Sequence, residues 1–180
     1  MSPEQVLGLF EKHGGDFYAE DISQVDHAVQ SAMLAIASGS TRELVLAALL
    51  HDVGHLMHLD ALGNDESHFQ QDLRHETVAA DALIGDLPPS VTEPIRMHVA
   101  AKRWLCANEQ AYFAQLSEAS KQSLEFQGGS MTKAECSKFE GNPWFADAVQ
   151  LRRWDDEAKV VGLVADPMQR FRELLLTNWL

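Results

Sequence analysis

At 180 residues, with 46% hydrophobic side chains, the chain is long enough for one domain with a sizeable buried core, and a second independent domain would be cramped. It carries 27 acidic against 14 basic residues, a net charge of −13, and it has no lysine- or arginine-rich run. Nucleic acid is therefore not an expected partner, because phosphate contacts need clustered positive charge.

Other compositional features exclude further classes of protein. No stretch approaches the roughly 18 consecutive apolar residues of a membrane span, and the opening residues lack the charged start and apolar core of a signal peptide. The two cysteines, Cys106 and Cys136, do not suggest a disulfide scaffold. We therefore expect a cytoplasmic protein with no membrane partner.

Apolar residues recur at helical spacing along the chain, and glycine and proline are sparse. In the first half the predicted elements are a short helix around 6–10 that Gly14-Gly15 ends, a helix capped by Ser23, a buried helix at 44–50, a loop or frayed helix start at 63–72, and a helix from about His75 to Leu83.

The second half continues the helical pattern after the break at 86–89. Its predicted elements are a helix starting at Ser90 or Thr92, two shorter helices within 109–125, a helix opened by the capping pair Thr132 and Glu135, a long helix at 144–159, and a last helix after Pro167. Because no strand pattern or repeat interrupts this series, the sequence predicts an all-α fold of helices packed in layers.

One adjacent pair of polar residues stands out. His51 and Asp52 follow the apolar run 44–50 directly. A buried helix end has no structural use for an imidazole beside a carboxylate, because both lose hydration there unless they are paired or bound to metal.

Further candidate ligands come at wide and even intervals. Each interval matches one helix and a return loop, so successive helices could present one ligand each to a common centre. These ligands are His27, His51, His75 and His98, separated by 24, 24 and 23 residues, with Asp155 as a later carboxylate for which Asp147 and Asp156 are rivals. Imidazole with carboxylate suits iron, manganese, zinc or nickel, and Asp52 could bridge two ions through its two oxygens.

The separated pattern H…HD…D at these positions resembles the HD superfamily, and the two extra histidines resemble its dinuclear branch. Most HD proteins are phosphohydrolases. Six local motifs instead resemble the phosphonate-cleaving HD oxygenases of the PhnZ and TmpB type, relatives of myo-inositol oxygenase. They are ISQVDHAVQ (22–30), HDVGH (51–55), RHETVAA (74–80), HVAAKRWL (98–105), LEFQGG (124–129) and RRWDDEAK (152–159).

This resemblance implies one HD domain over residues 1–180, with a core at about 17–165 and a short helix at each end packed on it. It also implies a mixed-valent Fe(II)/Fe(III) pair with dioxygen as co-substrate. The implied ligands of one iron are His27, His51 and Asp155, and those of the other are His75 and His98, with Asp52 bridging. Asp155 is preferred to its rivals because Asp155 and Lys159 reproduce a D-x-x-x-K spacing of this group.

The same resemblance implies a phosphonate pocket. Lys102 matches a lysine that holds the phosphonate, and it stands one helical turn after His98. His55 matches a position that contacts substrate, so His55 and Lys102 are the expected catalytic side chains. Further phosphonate contacts are implied at Ser120, Ser123, Gln127 and Arg152. Taken without the resemblance, the lysine and arginine could be surface cations and the serines could decorate a helix.

The segment DFYAE (16–20) bears on the substrate. In the family enzyme that acts on a primary amine, a tyrosine and a glutamate sense the amine, whereas here Phe17 replaces the tyrosine, Tyr18 follows and Glu20 is kept. Aromatic rings with a carboxylate suit a quaternary ammonium, which binds π faces but donates no hydrogen bond. Phe17 as a plain core residue is the alternative.

The resemblance thus implies oxidative cleavage of the carbon–phosphorus bond of a 1-hydroxy-2-ammonioethylphosphonate. The products would be phosphate and glycine betaine from the trimethylammonium substrate, which the sequence favours slightly, or glycine from the primary amine. The chief alternative is an HD phosphohydrolase with the same ligands, and a third is a catalytically silent HD module that senses a ligand.

Overall fold

The computed structural model of the protein describes residues 1–17, 21–63, 74–163 and 168–179, apart from the side chain of Gln169. These residues form helices and no strand, with two isolated bridges at Phe17–Ser23 and Ile84–Leu87. The helices are α1 Pro3–His13, α2 Gln24–Ala37, α3 Arg42–Leu50, α4 Val53–Leu62, α5 His75–Leu83, α6 Pro89–Asn108, α7 Tyr112–Gln115, α8 Glu118–Phe126, α9 Lys133–Glu140, α10 Phe145–Glu157 and α11 Gln169–Asn178. The predicted all-α class is confirmed.

Side-chain caps explain where several helices begin. The hydroxyls of Ser23, Thr41 and Ser117 accept hydrogen bonds from backbone amides of the first turns of α2, α3 and α8. A full capping box joins Thr132 and Glu135 at the start of α9, as the sequence predicted. These caps satisfy amides that have no partner inside the helix.

The core lies around α3 and α6. Every residue from Leu44 to Leu50 in α3 is buried, which confirms the apolar run as an interior helix. The 20-residue α6 packs against α10, α5 and α3, and α2 packs against α3 and α10. This arrangement brings α2, α3, α5, α6 and α10 around one volume, which is where the histidines lie.

Gly54 allows the close approach that sets the entry to α5. A Cβ atom at this position would overlap the backbone carbonyl of His75. The first turn of α4 therefore rests directly on the first residue of α5, which places His75 beside the His51-Asp52 pair.

Two details of the helix prediction were wrong. Helix α6 begins at Pro89, not at Ser90 or Thr92, because proline fits the first position of a helix, where no amide donor is needed. Helix α4 was not predicted as a separate element. The polar stretch 63–72 lies outside the described residues except for Gly63, and the single-domain boundary stays a prediction. Within the described chain no helix has the length and apolar character needed to cross a membrane.

Candidate metal centre

Six side chains from separate elements converge in the core. His27 comes from α2, His98 from α6 and Asp155 from α10, while His51 ends α3, Asp52 precedes α4 and His75 opens α5. The predicted gathering of the evenly spaced histidines is therefore seen. They do not come from strictly successive helices, because α4 lies between His51 and His75 without contributing one of the six.

The first group surrounds the imidazole of His27. Its Nε2 lies 3.2 Å from Nε2 of His51, 3.5 Å from Oδ2 of Asp52 and 3.4 Å from Oδ1 of Asp155. Nε2 of His51 lies 3.5 Å from the same Asp52 oxygen and 3.8 Å from the same Asp155 oxygen. Two imidazoles and two carboxylates thus face one point.

The second group uses the other oxygen of Asp52. Oδ1 lies 3.3 Å from Nε2 of His75 and 3.7 Å from Nε2 of His98, and these two nitrogens are 3.1 Å apart. Asp52 therefore offers one carboxylate oxygen to each pair of histidines, the arrangement of a bridging carboxylate. Each group of three ligand atoms, with Asp52 in common, is compact enough to hold a metal ion.

The tautomers of the histidines support a cation at both points. The Nδ1 atoms of His27, His51 and His98 lie 2.8, 2.9 and 2.7 Å from backbone carbonyls, which can only accept, so each Nδ1 carries the proton. Their Nε2 atoms are then left with lone pairs, which point into the two ligand groups. Such close nitrogens need a cation or a proton between them, and carbonyl-anchored imidazoles are the usual surroundings of a metal.

The nitrogen spacing within each histidine pair is compatible with one shared ion. Two nitrogens about 2.1 Å from one ion lie about 3.4 Å apart at tetrahedral angles and about 3.0 Å apart at right angles. The observed 3.2 Å within the His27–His51 pair and 3.1 Å within the His75–His98 pair lie between these two values, so each pair is close enough to share one ion. Imidazole with carboxylate suits several transition metals, iron, manganese and zinc among them.

The carboxylates of the centre are held in the charged form. Burial alone would raise the pKa of Asp52, but His51 and the hydrogen bond from His27 bring it well below its usual range. At Asp155 burial also raises the pKa, but Arg152 and the hydrogen bond from His27 outweigh this effect. The pKa of this carboxyl is therefore likewise well below its usual range. Ionised carboxylates in such poorly hydrated positions are stabilised by nearby cations, and bound metal ions would add to this effect.

The histidines of the centre differ in basicity. Burial lowers the pKa of His27, but hydrogen bonds with Asp155 and Asp52 outweigh it and raise the pKa to about 10. Burial and the neighbouring His75 and His51 lower the pKa of His98 to about 3. A metal bound at the His27 group would therefore have to displace a proton from this imidazole.

Cationic and hydroxyl side chains lie beside the centre. Lys102 is 2% exposed, and its Nζ donates to Oγ of Ser123 at 2.7 Å. Oγ of Ser120 lies 3.3 Å from Nζ of Lys159 and 3.5 Å from Nη2 of Arg152. Lys102 and Arg152 are therefore not solvated surface cations. Together with Ser120 and Ser123 they form a candidate anion pocket.

Lys102 is an unusual lysine because burial and the nearby Arg152 lower its pKa to about 7. A desolvated ammonium held near positive neighbours is stabilised by an incoming anion. Perturbation of this kind in a site is typical of a functional lysine.

Arg152 is already committed within the chain. Its Nη1 donates to Oδ2 of Asp155 at 2.6 Å, and its Nη2 and Nε pair with Asp156, whose Oδ2 also accepts from Tyr112. Asp156 therefore holds this arginine, whereas Asp155 also brings its Oδ1 within 3.4 Å of Nε2 of His27 and 3.8 Å of Nε2 of His51. Arg152 fixes Asp155 so that Oδ1 faces His27, and any contact with a phosphonate would be additional.

His55 lies against the second ligand group. Its ring stacks on that of His75, with centroids 3.9 Å apart and an angle of 21° between the planes. Burial and the neighbouring His75 keep its pKa well below the usual range, so it is neutral. Gln127, at the end of α8, has a buried Oε1 with no hydrogen-bond partner among the described residues, so this oxygen has an unused acceptor site.

The segment before α2 is only partly described. Phe17 is 64% exposed, so the alternative that it is a core residue is wrong. Tyr18 and Glu20 lie outside the described residues. A cavity of about 250 Å³ lies nearby, and its lining includes Asp21, Ile22, Gln115, Ser117, Asp156, Lys159 and Val161.

Sequence reasoning missed two residues that support the centre. Glu76 is buried, and its Oε2 lies 3.8 Å from Nδ1 of His75, which is too far for a hydrogen bond. Burial lowers the pKa of His75, but Asp52 and the charge of Glu76 raise it above its usual value. Tyr112 is buried and donates to Asp156. A carboxylate directly after a ligand was an available signal for Glu76, whereas Tyr112 is distant in sequence and had none.

Fold and site together define a helical protein whose buried histidines and aspartates could hold metal. No protein-family model matches the sequence. A hydroxymethylphosphonate dioxygenase of Gimesia maris is 48% identical over 172 residues, which are 93% of this chain and 85% of that protein.

Two further relatives cover most of the chain. A glycine-betaine-forming [1-hydroxy-2-(trimethylamino)ethyl]phosphonate dioxygenase of Leisingera caerulea is 37% identical over 157 residues, 87% of this chain and 79% of that protein. An uncharacterised protein of Acanthamoeba polyphaga mimivirus is 34% identical over 175 residues, with coverages of 95% and 78%. The chain belongs to the phosphonate dioxygenase family, which confirms the resemblance found in its motifs.

Proposed function

We propose that the protein is an iron-dependent oxygenase that uses dioxygen to cleave the carbon–phosphorus bond of a 1-hydroxyalkylphosphonate. The observation that carries the proposal is the position of Asp52, which offers one oxygen to each of two histidine pairs. The family membership and the buried cations beside the centre support the oxidative reaction and the phosphonate substrate.

Two iron ions would occupy the two ligand groups. His27, His51 and Asp155 would hold one ion and His75 and His98 the other, with Asp52 shared. When bound, a mixed-valent Fe(II)/Fe(III) pair supplies Lewis acidity toward the substrate hydroxyl and a site at which dioxygen is reduced. The mixed donor set of imidazoles and carboxylates is compatible with this metal.

The anion pocket would bind and orient the phosphonate. Lys102 would donate to a phosphonate oxygen, and the incoming charge would keep it protonated although its pKa is about 7 in the free chain. Ser123, Ser120 and Gln127 would complete the hydrogen bonds. Because Lys102 and His98 share one face of α6, a phosphonate on Lys102 brings the adjacent carbon to the second ligand group.

The other side chains near the pocket would act on orientation and charge. Arg152 would hold Asp155 and neutralise part of the pocket's charge. His55, neutral and stacked on His75, would fix that ring and present a hydrogen-bonding edge to the substrate.

The overall reaction balances with one dioxygen per substrate. The trimethylammonium substrate and O2 give glycine betaine and dihydrogen phosphate, the primary amine gives glycine, and hydroxymethylphosphonate would give formate. In each case the carbon attached to phosphorus is oxidised to a carboxylate and both oxygen atoms of O2 are taken up. The two named relatives differ in the group on this carbon, so the substituent is the open part of the proposal.

The test combines oxygen uptake with phosphate release. Iron-loaded protein would be given (R)-1-hydroxy-2-(trimethylammonio)ethylphosphonate, its primary-amine analogue and hydroxymethylphosphonate in parallel, with an Asp52→Asn variant as control. Equal rates of oxygen uptake and phosphate release with any one of them, absent in the variant, would support the proposal. Anaerobic phosphate release from simple phosphate esters would instead show a phosphohydrolase.

A variant of Phe17 can test which amine substituent the protein prefers. If its exposed ring contacts a quaternary ammonium, Phe17→Tyr should shift the ratio of kcat/KM values toward the primary amine, because a hydroxyl can accept a hydrogen bond from it. An unchanged ratio would show that Phe17 does not select the amine.

A further inference from the structure

The chain after α10 passes the metal centre without forming a helix. Helix α10 ends at Glu157, and Ala158 leaves it with φ −81° and ψ 41°. Ala158 is buried, but the next apolar side chains are not, since Val160 is 51% and Val161 65% exposed. Apolar burial therefore does little to fix the backbone at 159–161, and polar contacts must do so.

Gln30 supplies such contacts from α2. Its amide is buried, with the residue 3% exposed, and its Nε2 donates to the carbonyl of Val160 at 3.0 Å. The backbone amide of Val160 in turn donates to Oε1 of Gln30 at 3.1 Å. The side-chain amide thus pairs with one peptide group in both directions, as a neighbouring strand would, and no other residue type of this length offers both a donor and an acceptor.

His27 stands three residues before Gln30 on the same helix and depends on the same segment. Its Nδ1 donates to the carbonyl of Ala158 at 2.8 Å, across 131 residues of sequence. The corresponding acceptors for His51 and His98 are Ala48 and Ile95, each three residues earlier in the chain. Their own helices hold those two carbonyls, whereas a non-helical segment supplies the acceptor for His27.

Lys159 lies between the two tethered residues. Its Nζ is 3.3 Å from Oγ of Ser120 and 4.0 Å from Oδ1 of Asp155. Its position therefore depends on backbone that is held at Ala158 through His27 and at Val160 through Gln30.

We propose that Gln30 is a positioning residue of the metal centre: by clamping Val160 it holds the Ala158 carbonyl on His27 and keeps Lys159 beside Ser120. Gln30 belongs neither to the two ligand groups nor to the anion pocket, and it acts through the backbone of 158–160. The proposal rests on the metal-centre part of the proposed function and is independent of the substrate and of oxygen.

The test measures how fast the Nδ1 protons of His27, His51 and His98 exchange with water. Gln30→Met keeps the length of the side chain and its helix preference but removes both hydrogen bonds. Exchange of the Nδ1 protons with water would be followed by NMR, in metal-free protein and in protein loaded with diamagnetic Zn(II). We expect at least a tenfold faster exchange at His27, and unchanged exchange at His51 and His98, which serve as internal references.

Two further variants sharpen the test. Gln30→Glu keeps the acceptor for the Val160 amide but sets a carboxylate against its carbonyl, so it should fall between wild type and Gln30→Met. Ser38→Ala removes a side-chain hydrogen bond to Ala35 at the far end of α2, and it should leave all three exchange rates unchanged. It controls for general loosening of that helix.

Metal affinity gives a second readout that needs no turnover. Residues that orient a ligand typically change metal affinity by 10- to 100-fold, so Mn(II) titration of Gln30→Met should show about tenfold weaker binding of one ion and unchanged binding of the other. Unchanged exchange at His27, or equal acceleration at all three histidines, would overturn the proposal. Since no phosphonate is present, a failed turnover assay would not bear on this result.

Discussion

Lys102 should lower the stability of the folded protein, although it contributes to the binding of substrate. It is 2% exposed, and burial together with Arg152 lowers its pKa from an ordinary 10.5 to about 7. The unfolded chain therefore binds the lysine proton more strongly than the folded chain does. Replacing the lysine by methionine, which has a similar length and no charge, should stabilise the fold at neutral pH.

The size of this gain follows from the two pKa values. Their difference is equivalent to roughly 5 kcal/mol at about 1.4 kcal/mol per tenfold, an upper bound on the stability lost by keeping the lysine charged. Between about pH 7 and 10.5 the unfolded state binds more protons, so the stability of the wild type rises with pH in this window. From pH 7 to pH 9 the expected rise from this group is roughly 2 kcal/mol, and the variant should lack it.

Substrate binding, unlike stability, should become weaker in the same variant. A hydrogen bond to a charged group contributes about 1.5–3 kcal/mol, so Lys102→Met should raise KM for the phosphonate by about 10- to 150-fold. The assays are urea unfolding of the metal-free protein at pH 7 and pH 9, and steady-state kinetics of the iron-loaded protein. Lys133→Met, at an exposed position on α9, is the matched control and should show neither effect. A variant that is less stable at pH 7, or that keeps its KM, would refute the reasoning.

Further predictions concern the centre and its surroundings. Asp52→Asn removes the charge shared by the two histidine pairs, so metal content after loading should fall from two ions to one or none, as measured by elemental analysis; two retained ions would contradict the bridging role. Gly54→Ala should destabilise the fold by roughly 3 kcal/mol in urea unfolding, because the new methyl group overlaps the carbonyl of His75. Gly8→Ala, where no atom lies within 4 Å, should instead stabilise α1 by up to about 1 kcal/mol, and equal effects of the two glycine changes would show that the close approach at Gly54 is not tight.

The sequence predicted a helix end best where a local break marked it. The helix from His75 to Leu83 has the expected bounds, because the break at 86–89 ends it. The predicted helix at 144–159 is shorter, since α10 ends at Glu157 and Ala158 turns its carbonyl to His27. That early end depends on a contact 131 residues away, which local pattern does not record.

The candidate site was predictable in its membership but not in its internal pairing. His51 and Asp52 could be named because a polar pair is chemically out of place after an apolar run. The other three histidines were found by their even spacing, and Asp155 was preferred to its rivals only through the family resemblance. The division of the two Asp52 oxygens between histidine pairs depends on side-chain rotation, so no spacing could show it. Arg152 illustrates the reverse case: Asp155 and Asp156 stand three and four residues after it, and this helical spacing was a signal for the observed ion pairs.

The most direct test of the account is to locate the metal itself. Crystals of the iron-loaded protein would be measured at the iron absorption edge, where anomalous scattering marks iron alone. The account predicts two peaks separated by the carboxylate of Asp52, one contacting His27, His51 and Asp155 and the other contacting His75 and His98. A single peak, or iron that avoids Asp52, would contradict the bridged centre on which the proposed oxygenase reaction depends.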